Sequence, residues 1–341
     1  PPMARTLLYT MCSLSFFLLL APFCVAKPLV ITVSIPPQAF LVKAIGGERV
    51  KVNTLVGVGF SPHDFEPRPR QAALVARSKA YFTIGMPFEK RLVEKLQSTN
   101  KEMKVVDMAS DVPRRRMVAA CGHEHHKSGE CGHEQHGSKA CGHDHHQHTE
   151  ACGHDHSGSK ACGHDHSASC GLDHSVGAVD PHVWLSARNM LRMAPVVRDT
   201  LKALDADGAL HYARNCSKAM KALLQVDNEL KQSLAPYKGK QFYVFHPAFG
   251  YFADNYGLTQ VPIEVEGKEP SARQLAQLIR RAKREKVKVI FVQRQFAQRA
   301  ADKLAQAIGG TVVPLDPLAE DYINNLHSIA VAVKKELRSG K

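Results

Sequence analysis

Residues 209–234 read ALHYARNCSKAMKALLQVDNELKQSL. The stretch holds few helix breakers and predicts one long helix. It separates two series in which short β-branched runs alternate with amphipathic helical segments. Before it, strands are expected at 29–34, 50–56, 80–84 and 103–107, with helices at 37–45, 70–77, 88–96 and 185–204. After it, strands are expected at 242–245, 260–265, 289–292 and 311–314, with helices at 248–256, 272–285, 297–308 and 321–337. Two βα series joined by a helix imply an α/β protein of two Rossmann-like lobes with mostly parallel sheets. The expected division is a leader at 1–26, a first lobe at 27–207, the linking helix at 208–235 and a second lobe at 236–341. In such sheets ligands collect beyond the carboxyl ends of the strands, so function is sought there.

The first lobe contains a segment of another character, 121–174. Units beginning at Cys121, Cys131, Cys141, Cys152 and Cys162 read Cys-Gly-His-acid with further histidine behind, and a degenerate copy, Cys-Gly-Leu-Asp-His, begins at Cys170. Fourteen of the 19 histidines and six of the nine cysteines lie here. Imidazole and thiolate suit borderline-soft divalent ions, so the segment reads as metal-binding. Its candidate ligands are Cys121, His123, His125, Cys131, His133, His136, Cys141, His143, His145, Cys152, His154, His156, Cys162, His164 and His166. It carries almost no large apolar side chains and cannot bury enough surface to offset the entropy of ordering. A mobile loop that collects several ions weakly is expected. A selective site takes its ligands from separate elements steadied by outer contacts, and must lie elsewhere.

The body is ordinary in composition, with 44% hydrophobic and 23% charged residues overall. The net charge is +13, and the segment 121–174 holds three lysines against eight acids, so the rest is strongly basic. No nucleic-acid motif accompanies that charge, and a solvated basic surface is expected instead of a nucleic-acid partner. After Arg5, residues 7–25 form an apolar run, and Cys24-Val25-Ala26 ends in a small residue. This reads as a signal peptide cleaved after Ala26, which would place the mature protein in the periplasm. No other run approaches the roughly 20 apolar residues needed to span a bilayer. In an oxidising compartment the loop thiols could pair, but a spacing near ten residues with His two positions on fits metal ligation better, and both states stay open. Cys216 reads as a small buried residue.

Four residues stand at strand ends. His63 follows the second strand in Ser61-Pro62-His63-Asp64-Phe65-Glu66-Pro67, and His182 lies in Asp180-Pro181-His182-Val183-Trp184-Leu185. His246 ends the first strand of the second lobe, before Pro247-Ala248-Phe249-Gly250-Tyr251-Phe252, and Asp316 follows the last strand in Leu315-Asp316-Pro317-Leu318. Each lobe supplies two. Three neutral imidazoles and a carboxylate suit four-coordinate zinc, whereas a manganese site would hold more oxygen ligands. His211 and His327 fall within helices and read as surface residues. Asp64 and Glu66 are alternative first-lobe ligands but read better as outer or turn residues.

These motifs resemble those of the zinc-specific solute-binding proteins of bacterial ABC transporters, within the wider group that captures zinc or manganese. The resemblance runs from about Leu29 to the C-terminus. It implies two lobes joined by a rigid backbone helix, one metal in the interlobe cleft, and ligand roles for His63, His182, His246 and Asp316, with water or a loop residue as the alternative fourth ligand. Zinc-selective members carry an acidic His-rich loop between the first two ligand motifs. The six cysteines here depart from that pattern, which leaves the loop's metal preference open.

The expected function is capture of Zn2+ and delivery to an ABC permease, by a monomer with no organic substrate and no chemistry of its own. A manganese receptor, and a periplasmic zinc buffer acting through the loop, are the alternatives. A zinc hydrolase is disfavoured, because His123-Glu124 and His133-Glu134 lack the second histidine of His-Glu-x-x-His.

Overall fold

The computed structural model describes residues 27–57, 59–98, 100–117, 178–264, 270–293, 295 and 299–339. The expected leader and the Cys/His segment lie outside them. The β-branched run Leu29–Val33 forms β1. Val50–Thr54 (β2), Ala80–Thr83 (β3) and Lys104–Asp107 (β4) complete the first sheet in the order β2-β1-β3-β4. Three helices intervene or follow: Pro36–Gly46 (α1), Pro69–Ala76 (α2) and Pro87–Gln97 (α3). Each starts on a proline, whose fixed φ suits the first turn and whose missing N–H would have had no helical partner there.

The chain resumes with a 3-10 turn at Val183–Leu185, then Ala187–Leu204 (α4) and Ala209–Leu234 (α5). The helix expected from 185 begins two residues later, because the Ser186 hydroxyl accepts the Asn189 N–H and caps it. The second sheet consists of Gln241–Val244 (β5), Thr259–Pro262 (β6), Val289–Gln293 (β7) and Thr311–Leu315 (β8), in the order β6-β5-β7-β8. Its helices are Gly250–Tyr256 (α6), Ala272–Arg284 (α7), Arg299–Ile308 (α8) and Tyr322–Ser339 (α9). Residues 246–249 form a turn ahead of α6 in place of its expected first turn, with Ala248 N–H on the His246 carbonyl at 2.8 Å. Every strand pairing in both sheets is parallel, and Arg116 and Val179 form an isolated antiparallel bridge.

The helix α5 turns Tyr212, Cys216, Leu223, Val226, Leu230 and Leu234 inward, at helical spacing. It packs on α1 and α4 from the first half and on α6 and α9 from the second. One apolar cluster therefore joins Val33 and Phe82 of the first sheet to Phe242, Phe252 and Leu326 of the second half. Burying a side chain such as Leu223 contributes roughly 1.5–3 kcal/mol. Polar pins add to it. The Trp184 indole donates to the Pro317 carbonyl at 2.7 Å, the Tyr322 hydroxyl donates to the Trp184 carbonyl at 2.6 Å, and Tyr322 stacks on Phe40. Among the described residues no helix is long and apolar enough to cross a membrane.

Candidate metal centre

Three histidines from three separate segments meet between the two sheets. His63 stands in the loop after β2, where the Ser61 hydroxyl accepts its backbone N–H at 3.2 Å. His182 directly precedes the 3-10 turn that leads into α4. His246 lies just past the end of β5, where the Gln293 amide donates to its carbonyl at 2.8 Å and Gln293 Oε1 accepts its N–H at 3.3 Å. Their Nε2 atoms form a near-equilateral triangle. The edges are 3.1 Å for His63–His182, 3.2 Å for His63–His246 and 3.1 Å for His182–His246.

The opposite ring nitrogens of two of them are spoken for. His182 Nδ1 lies 2.8 Å from Asp180 Oδ1, and His246 Nδ1 lies 2.6 Å from Glu264 Oε1. Both carboxylates are buried, as are His182 and His246. A carboxylate facing Nδ1 keeps the proton on that nitrogen and leaves Nε2 with a bare lone pair. Two such lone pairs at 3.1 Å, with His63 Nε2 closing the triangle, repel unless something positive lies among them. A tetrahedral zinc with bonds of about 2.0–2.1 Å would space its nitrogens about 3.3 Å apart, so the triangle is close to a ready face for such an ion. Burial pushes the Asp180 carboxyl up, but its bonds to His182 and Arg115 more than reverse this and hold it below the usual carboxylate range.

His63, His182 and His246 are the group of His, Cys, Asp or Glu residues whose ligand atoms converge closely enough to hold one ion, among the described residues. Asp316 is not gathered with them. Its Oδ1 accepts the Leu318 N–H at 2.9 Å and its carbonyl accepts from Asn325 at 2.6 Å, the turn chemistry that Asp-Pro favours. The expected ligands at Cys121, His123 and the other Cys and His positions of the segment lie outside the described residues. Asp64 and Glu66 are exposed. His211 and His327 are not simply solvated: His211 Nε2 contacts the Gly46 carbonyl at 3.1 Å, and His327 lies 3.3 Å from Glu229.

Sequence reasoning assigned no role to Asp180 or Glu264. Asp180 had a signal, since an acid two residues before a candidate histidine can reach its ring. Glu264 had only its place after a strand. It reaches His246 because β5 and β6 pair in parallel and the ladder continues past them, with Ile263 N–H on the Val244 carbonyl and Glu264 N–H on the Phe245 carbonyl.

The family model described as "Zinc-uptake complex component A periplasmic" (ZnuA) matches residues 31–336. The zinc-binding protein AdcA of Streptococcus pyogenes serotype M3 is 29% identical over 295 residues, which are 86% of this chain and 50% of AdcA. The chain spans about half the length of the curated relatives it matches. A crystal structure of ZnuA superposes with a TM-score of 0.71 at 33% identity, over 91% of this chain and 100% of that one. A ZnuA deletion mutant with zinc bound superposes equally well, at 32% identity, over 91% of this chain and 98% of that one. The chain belongs to the family of zinc-uptake complex component A, the zinc-binding solute-binding proteins of ABC transporters.

Proposed function

We propose that this chain captures Zn2+ outside the cytoplasmic membrane on His63, His182 and His246 and delivers it to an ABC permease. The observation that carries the reading is the triangle of Nε2 atoms, two of them backed by buried carboxylates. Nitrogen donors in that number and spacing favour zinc over manganese. In this reading solvent fills the fourth position, and Asp316 keeps its Oδ1 on the Leu318 N–H. Among the described residues, Asp180 and Glu264 approach the rings at Nδ1 atoms and are not placed as a general base for a metal-bound water, which supports a carrier over a hydrolase. The Cys/His segment 121–174 raises the local ion concentration near the site, a tethered-ligand effect. The leader is removed near Ala26, residues 208–235 link the lobes, and the chain works as a monomer with no organic substrate.

The test is retention of metal. The protein lacking residues 121–174 is washed with a mild chelator, and bound metals are measured by mass spectrometry. One retained zinc per chain, lost in His246→Ala, is expected. No retained zinc would refute the three-histidine site and make the segment the working part, as in a zinc buffer.

A further inference from the structure

Behind the triangle lies a guanidinium that serves two ligand-bearing segments at once. Arg115 Nη1 donates to Asp180 Oδ2 at 2.6 Å, while Asp180 Oδ1 holds His182 Nδ1 at 2.8 Å and accepts the His182 backbone N–H at 3.0 Å. Arg115 Nε donates to Asp254 Oδ2 at 2.8 Å, and Asp254 belongs to α6, the helix that follows His246. The main chain repeats the connection. Arg115 N–H donates to the Tyr251 hydroxyl at 3.0 Å, and that hydroxyl donates to the Asp180 carbonyl at 3.3 Å. Asp180 N–H donates to the Arg115 carbonyl at 2.9 Å, beside the Arg116–Val179 bridge.

The packing leaves no slack. A Cβ on Gly250 would stand 1.6 Å from Arg115 Nη1 and 2.7 Å from Asp180 Oδ2, so the first residue of α6 must be glycine for the guanidinium to reach its partner. Asp180 is wholly buried and the Arg115 side chain is 17% exposed, whereas Asp254 is largely exposed. The Asp180 contact is therefore the strong one, a charge-assisted bond screened from water, and the Asp254 contact is the weaker tether. A planar fork suits this task, because its Nη1 and Nε donors reach two carboxylates in fixed directions.

We propose that Arg115 is a positioning residue for metal retention, bolting the Asp180–His182 segment to the helix behind His246 so that the two Nε2 atoms keep their spacing. This rests on the reading of the three histidines as the zinc site. Without the bolt the Asp180 carboxylate is held only by its contacts to His182, the His182 ring is aimed less firmly, and the ion leaves faster. Changes to groups that steady metal ligands from behind cost about 10–100-fold in affinity.

The experiment uses the full chain loaded with Zn2+ and mixed with excess chromophoric chelator. Release is expected in a fast phase from the Cys/His segment and a slow phase from the three histidines, the slow phase being absent in His246→Ala. In Arg115→Met the slow phase should speed up by about tenfold or more. Asp254→Asn, which changes an exposed group and leaves the buried pair intact, should give a smaller rise and serves if Arg115→Met does not fold. Arg49→Met is the control. It breaks the Arg49–Asp205 pair, which contacts none of the three rings, and should lower the thermal midpoint without changing the slow phase. A slow phase in Arg115→Met equal to the parent's, or an acceleration that Arg49→Met reproduces, overturns the proposal while leaving the zinc site standing. A parent without a slow phase, or one that persists in His246→Ala, overturns both.

Discussion

The two sheets share one strand order, β2-β1-β3-β4 and β6-β5-β7-β8, and each has its crevice between corresponding strands, yet the crevices hold different things. In the second, beyond β5 and β7, Gln293 braces the main chain of His246 and the ring points outward to its two companions. In the first, beyond β1 and β3, the space is closed by a polar plug. Gln38 accepts the Ser34 N–H at 2.9 Å and donates to the Phe82 and Thr83 carbonyls, at 3.0 and 3.2 Å. Glu89 accepts from the Ser34 hydroxyl and from the N–H groups of Ile84, Gly85 and Met86. A glutamine knits neighbouring strands together at both points. Only the second sheet spends the position on a candidate ligand, and the first half brings His63 and His182 to the centre from loops instead. Topology offers a site at every switch point, and the side chains decide whether it opens.

Disabling each crevice in turn would break this contrast or sharpen it. Gln38→Ala strands the Phe82 carbonyl and the Ser34 N–H in a buried place, while the Thr83 carbonyl keeps the Met108 N–H at 2.9 Å. Unfolding free energy from denaturant titration should fall by about 3 kcal/mol while the chelator-resistant zinc stays bound. Loss of zinc at unchanged stability would mean the plug belongs to the site. Glu264→Gln should do the reverse, weakening zinc by about 10–100-fold in competition titrations with little change in stability. A variant that binds zinc as tightly as the parent would show that Glu264 does not steady His246.

The smallest effect is a pH dependence. Burial, only partly offset by its hydrogen bonds to Ser34 and the backbone N–H groups, pushes the Glu89 carboxyl up to about 7. An acid with a raised folded value stabilises the fold below its unfolded value near 4.5 and loses that contribution as pH climbs through about 7. Between pH 5 and 8 the protein should lose roughly 2 kcal/mol of stability that Glu89→Gln keeps. Parallel pH curves for the two proteins would show that Glu89 is ionised throughout.

Most of the fold was legible because its signals are local. β-branched runs such as Leu29–Val33, prolines at helix starts and the glycine after α6 mark their elements without help from distant residues. The three histidines also announce themselves, each beside a proline at the end of a segment. Asp316 looks the same in sequence, and a one-dimensional reading does not show that its Oδ1 accepts the Leu318 N–H while the three histidine nitrogens converge. Glu264 and Arg115 were invisible for a different reason. Their partners lie across a strand pairing or across the two halves, Arg115 and Tyr251 being 136 residues apart.

The Trp184–Pro317 and Tyr322–Trp184 bonds, with the apolar cluster that runs through both halves along α5, have a consequence for recognition. A hinged receptor advertises its cargo by closing, and a partner can read the change anywhere on its surface. Here the two sheets are fastened together next to the ligands, so filling the site should leave the two halves in place, and the expected change is in the loop that carries His63, the least buried of the three histidines. On that expectation, a partner that takes filled chains and ignores empty ones would inspect the mouth of the site.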